Sequence, residues 1–219
     1  MTKAPPIILA STSPRRRALL GGLRVPFEIR AADIDERPLP AELPIETAKR
    51  VALAKAEAIA SKGIKGIILG ADTIVVLAGT ILGKPRDRDE AFRMLRALRG
   101  REHDVITGVA LLNTDNGQKH ISAVITKVWM RNYSDEEMAA YIASGDTYDK
   151  AGAYAIQNNM LRPVERIEGC YFNVVGLPLC EVIKGLIEVG YPSSALPINK
   201  LDEICPHDII GLDLDQYPS

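Results

Sequence analysis

The sequence predicts an α/β fold in which helices flank a mixed, twisted β-sheet. Short apolar runs typical of strands alternate along the chain with longer stretches whose apolar residues recur at helical spacing. Residues 66–71 form a nearly continuous apolar run, as expected of a strand that is buried on both faces. Residues 105–112 and 121–131 alternate well enough to form two strands joined by a turn at residues 113–117.

The first half of the chain is predicted to alternate between strands and helices. Pro14 suits the first turn of a helix, and Ser11 or Ser13 can cap that helix. Gly79 allows a tight turn within a pair of strands. We expect strands at 6–10, 26–31, 66–71 (ending at Asp72) and a strand pair over 74–82, helices at 14–22 and 45–62, and a loop at 83–85.

The second half continues the alternation. Gly100 can end one helix, and Ser134 and Glu137 have the spacing of a capping box that opens another. We expect helices at 87–99, 134–144 and 178–189, a glycine-flanked loop at 145–153 and a strand at 171–175.

The chain is long enough for one domain with a substantial core, which we place at residues 1–190. Residues 191–219 are expected to form a C-terminal extension with partial order and no catalytic role. Apolar residues in it could pack back onto the domain, and Cys205 and His207 alone are not expected to form a metal site. Those apolar residues are Leu196, Ile198, Leu201, Ile209 and Ile210.

Composition narrows the class of protein. The formal net charge is −1, so any binding of phosphates must come from a local group of cations rather than from the whole surface. Three widely spaced cysteines without a CxxC pair indicate reduced thiols and argue against a structural zinc site. Neither a long apolar segment nor a signal-peptide core is present. We therefore expect a soluble, cytoplasmic protein that does not bind membranes.

The start of the first predicted helix is the strongest local signal of a ligand site. Arg15, Arg16 and Arg17 follow Pro14 directly, at a helix end whose backbone N–H groups and dipole already favour anions. Arginines are misplaced there unless an anion offsets their charge, which indicates a site for a phosphate chain. The alternative is a basic helical turn that points into water, and this is what we expect of Arg17.

Several other side chains could belong to the same site, although each has an ordinary structural alternative. Asp72 follows an apolar strand, where ligands bind in open α/β sheets, but it could simply start a turn. Glu36 and its neighbour Asp35 suggest a metal site only together with Asp72. Lys55 lies at the edge of a helical apolar face, where a lysine usually reaches for solvent. Lys84 is held in a loop between Gly83 and Pro85, and the Gln157 amide could contact a nucleobase.

Other common enzyme classes lack their motifs. His103, His120 and His207 have no ligand spacing, and no Gly-x-Ser-x-Gly sequence occurs. The Walker loop and the Gly-x-Gly-x-x-Gly dinucleotide motif are also missing.

Six sequence blocks together are more specific than any one of them. They are LASTSPRRRALL at 9–20, GADTIVV at 70–76, GKP at 83–85, HDVITGV at 103–109, DKAGAY at 149–154 and NVVGLP at 173–178. In this order, and over residues 8 to about 185, they resemble the Maf family of nucleoside triphosphate pyrophosphatases.

The resemblance implies an inosine-triphosphatase-like fold with two lobes and a central cleft. It also implies cleavage of a nucleoside triphosphate between its α and β phosphates with a divalent metal, Mg²⁺ or Mn²⁺. The block at 149–154 followed by Ile156 and Gln157 is similar to the branch that acts on dTTP and UTP. A homodimer is expected, and a stable complex with nucleic acid is not.

The same resemblance assigns roles to single residues. Asp72 matches the catalytic acid, and Asp72 and Glu36 match the metal ligands. Arg15, Thr73 and Gln157 match positions associated with base choice. The expected substrate-binding residues are Ser13, Arg15, Arg16, Lys55, Thr73, Lys84 and Gln157.

Two alternatives remain at this point. The protein could bind nucleotides or nucleic acid as a regulator of cell division without turnover. It could also be a broad house-cleaning pyrophosphatase that removes modified nucleotides.

Overall fold

The computed structural model describes residues 4–198, which form an α/β fold as predicted. Besides single 3₁₀ turns at Ala151–Ala153 and Ser193–Ala195, it contains seven strands and six helices. The strands are β1 (Ile7–Leu9), β2 (Phe27–Ile29), β3 (Ile67–Leu77), β4 (Thr80–Leu82), β5 (Glu102–Asn113), β6 (Lys119–Met130) and β7 (Val164–Glu168). The helices are α1 (Pro14–Gly22), α2 (Pro44–Ala60), α3 (Arg88–Leu98), α4 (Asp135–Ala143), α5 (Tyr171–Val175) and α6 (Leu179–Glu188).

All seven strands belong to one mixed sheet, in the order β2-β1-β3-β5-β6-β7. Strand β1 is parallel to both β2 and β3, whereas β3, β5, β6 and β7 pair antiparallel in turn. Strand β4 folds back onto the end of β3 through the turn at Gly79, as the sequence indicated. The predicted mixed sheet with flanking helices is thus confirmed.

The two faces of the sheet are covered by different helices. Along β1, Ile7 and Leu9 pack in a cluster with α1 and α6, whereas Ile8 and Ala10 pack against α2. This double burial explains why β1 and the first half of β3 read as continuous apolar runs. Helix α2 approaches so closely that a Cβ atom at Gly70 or Gly108 would collide with its backbone carbonyls.

The pairing of β3 leaves part of one edge open. Strand β5 covers the other edge of β3 along most of its length. On the open side, β1 pairs only with Ile67–Leu69 and β4 only with Val75–Leu77. Residues between these two segments, including Asp72 and Thr73, therefore lie at an unpaired stretch just beyond the carboxyl end of β1.

Two local predictions were wrong. The strand that was expected to end at Asp72 continues to Leu77, because the ladder with β5 runs through Asp72 and holds the chain extended on both sides of it. The strand expected at 171–175 is the short helix α5, which buries Tyr171, Asn173 and Val175 and stops at Gly176. Tertiary packing overrides the β-propensity of these residues.

Strand β7 was not predicted. Three of its five residues are charged and exposed, and only Val164 and Ile167 are buried. Charged residues are common on edge strands because they discourage pairing with another chain. They also interrupt the apolar pattern by which a strand is predicted from sequence.

The start of the predicted C-terminal extension is ordered against the domain. Tyr191 and Leu196 are buried in the cluster with α6, and Ile198 packs on its margin. Leu201, Cys205, His207, Ile209 and Ile210 lie outside the described residues. Within residues 4–198, no helix is both long and apolar enough to cross a membrane.

Candidate active site

A cleft of about 320 Å³ opens at the unpaired stretch of β3. Its walls come from the start of α1, the middle of β3, the loop at 149–157 and the end of α5. Every side chain predicted to bind substrate or metal lies on it: Ser13, Arg15, Arg16, Glu36, Lys55, Asp72, Thr73, Lys84 and Gln157.

A buried ion pair links Asp72 to Lys55. Asp72 is 7% exposed and Lys55 is 6% exposed, and Lys55 Nζ lies 2.7 Å from Asp72 Oδ1. The same ammonium group lies 3.0 Å from Glu36 Oε1, on a side chain that is half-exposed. The Lys55 side chain therefore does not extend into solvent, because its ammonium group forms ion pairs with two carboxylates.

The first turn of α1 forms another part of the cleft wall. Ser13 caps the helix by accepting a hydrogen bond from the Arg16 backbone N–H at 3.4 Å, with Pro14 in the first turn. Arg15 lies across the cleft from Asp149, with 3.3 Å between its Nη1 and Asp149 Oδ2. Arg17 is exposed, as expected.

Arg16 is held in a defined orientation. Its Nε donates to the Gly176 carbonyl oxygen at 2.8 Å, and its Nη2 donates to Thr73 Oγ1 at 3.0 Å. Burial lowers the pKa of the Arg16 guanidinium, and the nearby carboxylates of Asp72 and Glu36 oppose that shift. Since an arginine stays protonated even so, Arg16 presents a fixed positive charge.

The loop at 145–157 is organised by its own charges. Lys150 is buried, and its Nζ lies 2.7 Å from Asp146 Oδ1 and 2.6 Å from Asp149 Oδ1. The Gly152 N–H donates to the Gly83 carbonyl oxygen at 3.0 Å, which ties this loop to the segment that carries Lys84. Lys84 itself is exposed on the rim of the cleft.

A second buried contact anchors the same loop to the sheet. Tyr154 lines the cleft, and its hydroxyl group lies 2.7 Å from His103 Nε2. Burial lowers the pKa of His103 to about 4, so this imidazole is neutral at pH 7. Burial also raises the pKa of Tyr154.

The carboxylates allow a test of the expected metal. Asp35 does not line the cleft, and its exposed carboxylate is bonded to Arg37. Among residues 4–198, no group of three His, Cys, Asp or Glu side chains is placed to hold a metal. Mg²⁺ in phosphate-handling sites is typically held by one or two carboxylates together with phosphate oxygens and water. The pair of Asp72 and Glu36 fits a metal of that kind.

Some residues of the cleft were not predicted from the sequence to be site residues. Asp149, Lys150 and Tyr154 line the cleft but are not among the predicted site residues. Their position in the block at 149–154 was the available signal. Ser11 has only the sequence signal of a helix cap. Thr107, which is buried below the cleft, has only the signal of an ordinary strand residue.

Comparison with known proteins identifies the family to which this sequence belongs. Residues 6–189 match the family model described as Maf-like protein. A relative from Geobacter sulfurreducens, named dTTP/UTP pyrophosphatase, is 50% identical over 184 residues, which cover 84% of this chain and 96% of the relative. A relative of the same name from Syntrophomonas wolfei is 49% identical over 83% of this chain and 96% of its own length. A third, from Carboxydothermus hydrogenoformans, is 45% identical over 84% and 99%. The chain therefore belongs to the Maf-like protein family.

Proposed function

We propose that this protein is a nucleoside triphosphate pyrophosphatase that hydrolyses dTTP and UTP to the nucleoside monophosphate and pyrophosphate. The observation that carries the proposal is the meeting of four cationic side chains with two carboxylates on one cleft. The cations are Arg15, Arg16, Lys55 and Lys84, and the carboxylates are Asp72 and Glu36. The names of the relatives support the same reaction and the same substrates.

Charge explains why the reaction needs this arrangement. A triphosphate repels an attacking oxygen nucleophile until its own negative charge is offset. Arg15 and Arg16 on α1 and Lys84 on the facing rim can hold the chain of phosphates from two sides. Lys55 is already paired with both carboxylates, so its main effect is to hold the Asp72 carboxylate in place.

In the proposed reaction, water attacks the α-phosphorus. Asp72 accepts a proton from the water as the new phosphorus–oxygen bond forms. The bond between the α-phosphorus and the bridging oxygen breaks, and that oxygen leaves with pyrophosphate. Asp72 and Glu36 would hold Mg²⁺ or Mn²⁺, which supplies further positive charge to phosphate oxygens.

The choice of base is assigned to Arg15, Thr73 and Gln157. A glutamine amide has both donor and acceptor groups, which suits the alternating acceptors and donor on the edge of thymine or uracil. The homodimer, the cytoplasmic location and the absence of a stable nucleic-acid complex are proposed from the family resemblance alone.

A panel of nucleotides tests this function. Purified protein is mixed with dTTP, UTP, CTP, ITP or 7-methyl-GTP and either Mg²⁺ or Mn²⁺, and the release of pyrophosphate is measured. We expect fastest release from dTTP and UTP. Equal rates with all five would indicate a broad house-cleaning enzyme, and no release with any of them would indicate a binding protein.

The Asp72→Asn variant is the matched control for this panel. It should bind nucleotide but release little pyrophosphate. Release near the wild-type rate would contradict the catalytic role of Asp72.

A further inference from the structure

We propose that Thr107 is a positioning residue that acts through Thr73 to hold the Arg16 guanidinium ready for the phosphates. The inference rests on the proposed function and adds a residue to its site. Thr107 lies on β5 directly opposite Thr73 on β3 and is fully buried. It does not line the cleft, so it acts on substrate only through its neighbours.

The hydrogen bonds around Thr107 run in one direction. Its hydroxyl group lies 3.0 Å from the Asn173 carbonyl oxygen, which can only accept, so the single hydroxyl proton of Thr107 points there. The Thr107 oxygen then accepts from Thr73 at 2.9 Å, a shorter contact than the 3.4 Å from Thr73 Oγ1 to the Gly176 carbonyl oxygen, which is the other acceptor within reach of this hydroxyl group. Because Thr73 gives its proton to Thr107, its oxygen is free to accept from Arg16 Nη2 at 3.0 Å.

This chain and a direct bond attach Arg16 to the middle and to the end of one short helix. Nε of Arg16 donates to the Gly176 carbonyl oxygen, where α5 ends. Through the two threonines, Nη2 is connected to the Asn173 carbonyl oxygen in the middle of α5. Gly176 has a φ of 124°, which other residues rarely adopt, so this end of the clamp depends on glycine.

The far end of the chain is itself fixed to the sheet. The Asn173 amide donates to the Val105 carbonyl oxygen at 3.0 Å and to Thr126 Oγ1 at 2.8 Å. Asn173 and Thr126 are both fully buried. The chain is thus anchored at its buried end, and a directional chain of this kind strengthens its members by mutual polarisation.

The consequence for the site is a guanidinium whose orientation is set before substrate arrives. Two of its five N–H groups are used by Gly176 and Thr73, and a third makes a long contact of 3.5 Å with Ser11 Oγ. The remaining donors are available to phosphate oxygens. Preorganised donors bind an anion better than donors that must first be ordered.

The experiment compares the Thr107→Val and Thr107→Ser variants. Valine keeps the shape of the side chain and removes the hydroxyl group, whereas serine keeps the hydroxyl group. Binding is measured with a UTP analogue in which a methylene group replaces the oxygen between the α and β phosphates. We expect the Kd to rise about tenfold for valine, as for one buried hydrogen bond left unmade. Serine should restore most of the affinity.

Two controls separate positioning from general damage. Thr47 is also buried and its hydroxyl group donates to Glu42, but it lies off the cleft, so Thr47→Val should bind the analogue as the wild type does. In an Arg16→Met background, Thr107→Val should change the Kd by less than about twofold, since its effect passes through Arg16. If the valine variant does not fold, Thr107→Ala is used in the same cycle.

The outcomes are distinct. Wild-type affinity in Thr107→Val, or an equal loss with and without Arg16, overturns the inference and leaves the proposed function intact. A wild-type protein that neither binds the analogue nor releases pyrophosphate overturns the proposed function, and the inference with it.

Discussion

Replacing Lys55 by methionine should destabilise the fold because it removes the hydrogen-bonded ion-pair partner of the buried Asp72 carboxylate. Asp72 is only 7% exposed, and its carboxylate lies 2.7 Å from Lys55 Nζ. Removing one member of a buried ion pair costs about 3–5 kcal/mol. Glu36 adds little to this loss, since its half-exposed carboxylate can be hydrated.

Urea unfolding followed by circular dichroism measures the effect, with nucleotide absent and a chelator present. With an m value of about 3 kcal/mol/M, the midpoint should fall by about 1–1.7 M. The double variant Lys55→Met/Asp72→Asn should recover most of the loss, because an amide carries no charge. Lys119→Met removes an exposed ion pair with Glu57 and should leave the midpoint unchanged.

An unchanged midpoint in Lys55→Met would refute this reasoning. So would a double variant that is less stable than Lys55→Met, because the loss would then not come from an unpaired Asp72.

Three further predictions concern other contacts. The pKa of His103 is about 4 in the folded protein against an ordinary 6.5, so the free energy of unfolding should fall by about 3 kcal/mol as the pH falls from 6.5 to 4. The free energy of unfolding of His103→Gln, measured over the same pH range, should lack this part of the pH dependence. Identical pH profiles for the two proteins would contradict the prediction. Gly108→Ala should cost about 1–3 kcal/mol or more by pushing α2 off the sheet, whereas Gly21→Ala, which meets no atom within 4 Å, should not lower the thermal midpoint. Asp149→Asn should lower the Kd of the UTP analogue by up to about fivefold, because the part-exposed ion pair with Asp149 competes with the phosphates for Arg15. A higher Kd would indicate that Asp149 itself contacts the nucleotide.

Much of the fold could be predicted from local patterns. The cap at Ser13 with Pro14, the capping box at Ser134 and the turn at Gly79 are set by residues close together in sequence, and all three are present in the structure. By contrast, α5 and β7 depend on long-range packing. A buried apolar segment has the sequence pattern of a strand even when packing against the rest of the protein makes it a helix.

The site shows the same division. Arg15 and Arg16 could be found from their position at a helix start, and Lys84 from its fixed loop. Lys55 could not, because its burial depends on Asp72, which is 17 residues away in sequence. Thr107 has the pattern of an ordinary strand residue, and only the register of β3 and β5 places it under Thr73. The family resemblance identified Lys55 as a site residue, but it did not identify Thr107.

Hydrolysis of UTP in ¹⁸O-enriched water tests the central claim most directly. If water attacks the α-phosphorus as proposed, mass spectrometry will find one heavy oxygen in UMP and none in pyrophosphate. A label in pyrophosphate would place the attack on the β-phosphorus, and UDP with labelled phosphate would show cleavage of the wrong bond. Either result would contradict the role assigned here to Asp72 and its cleft.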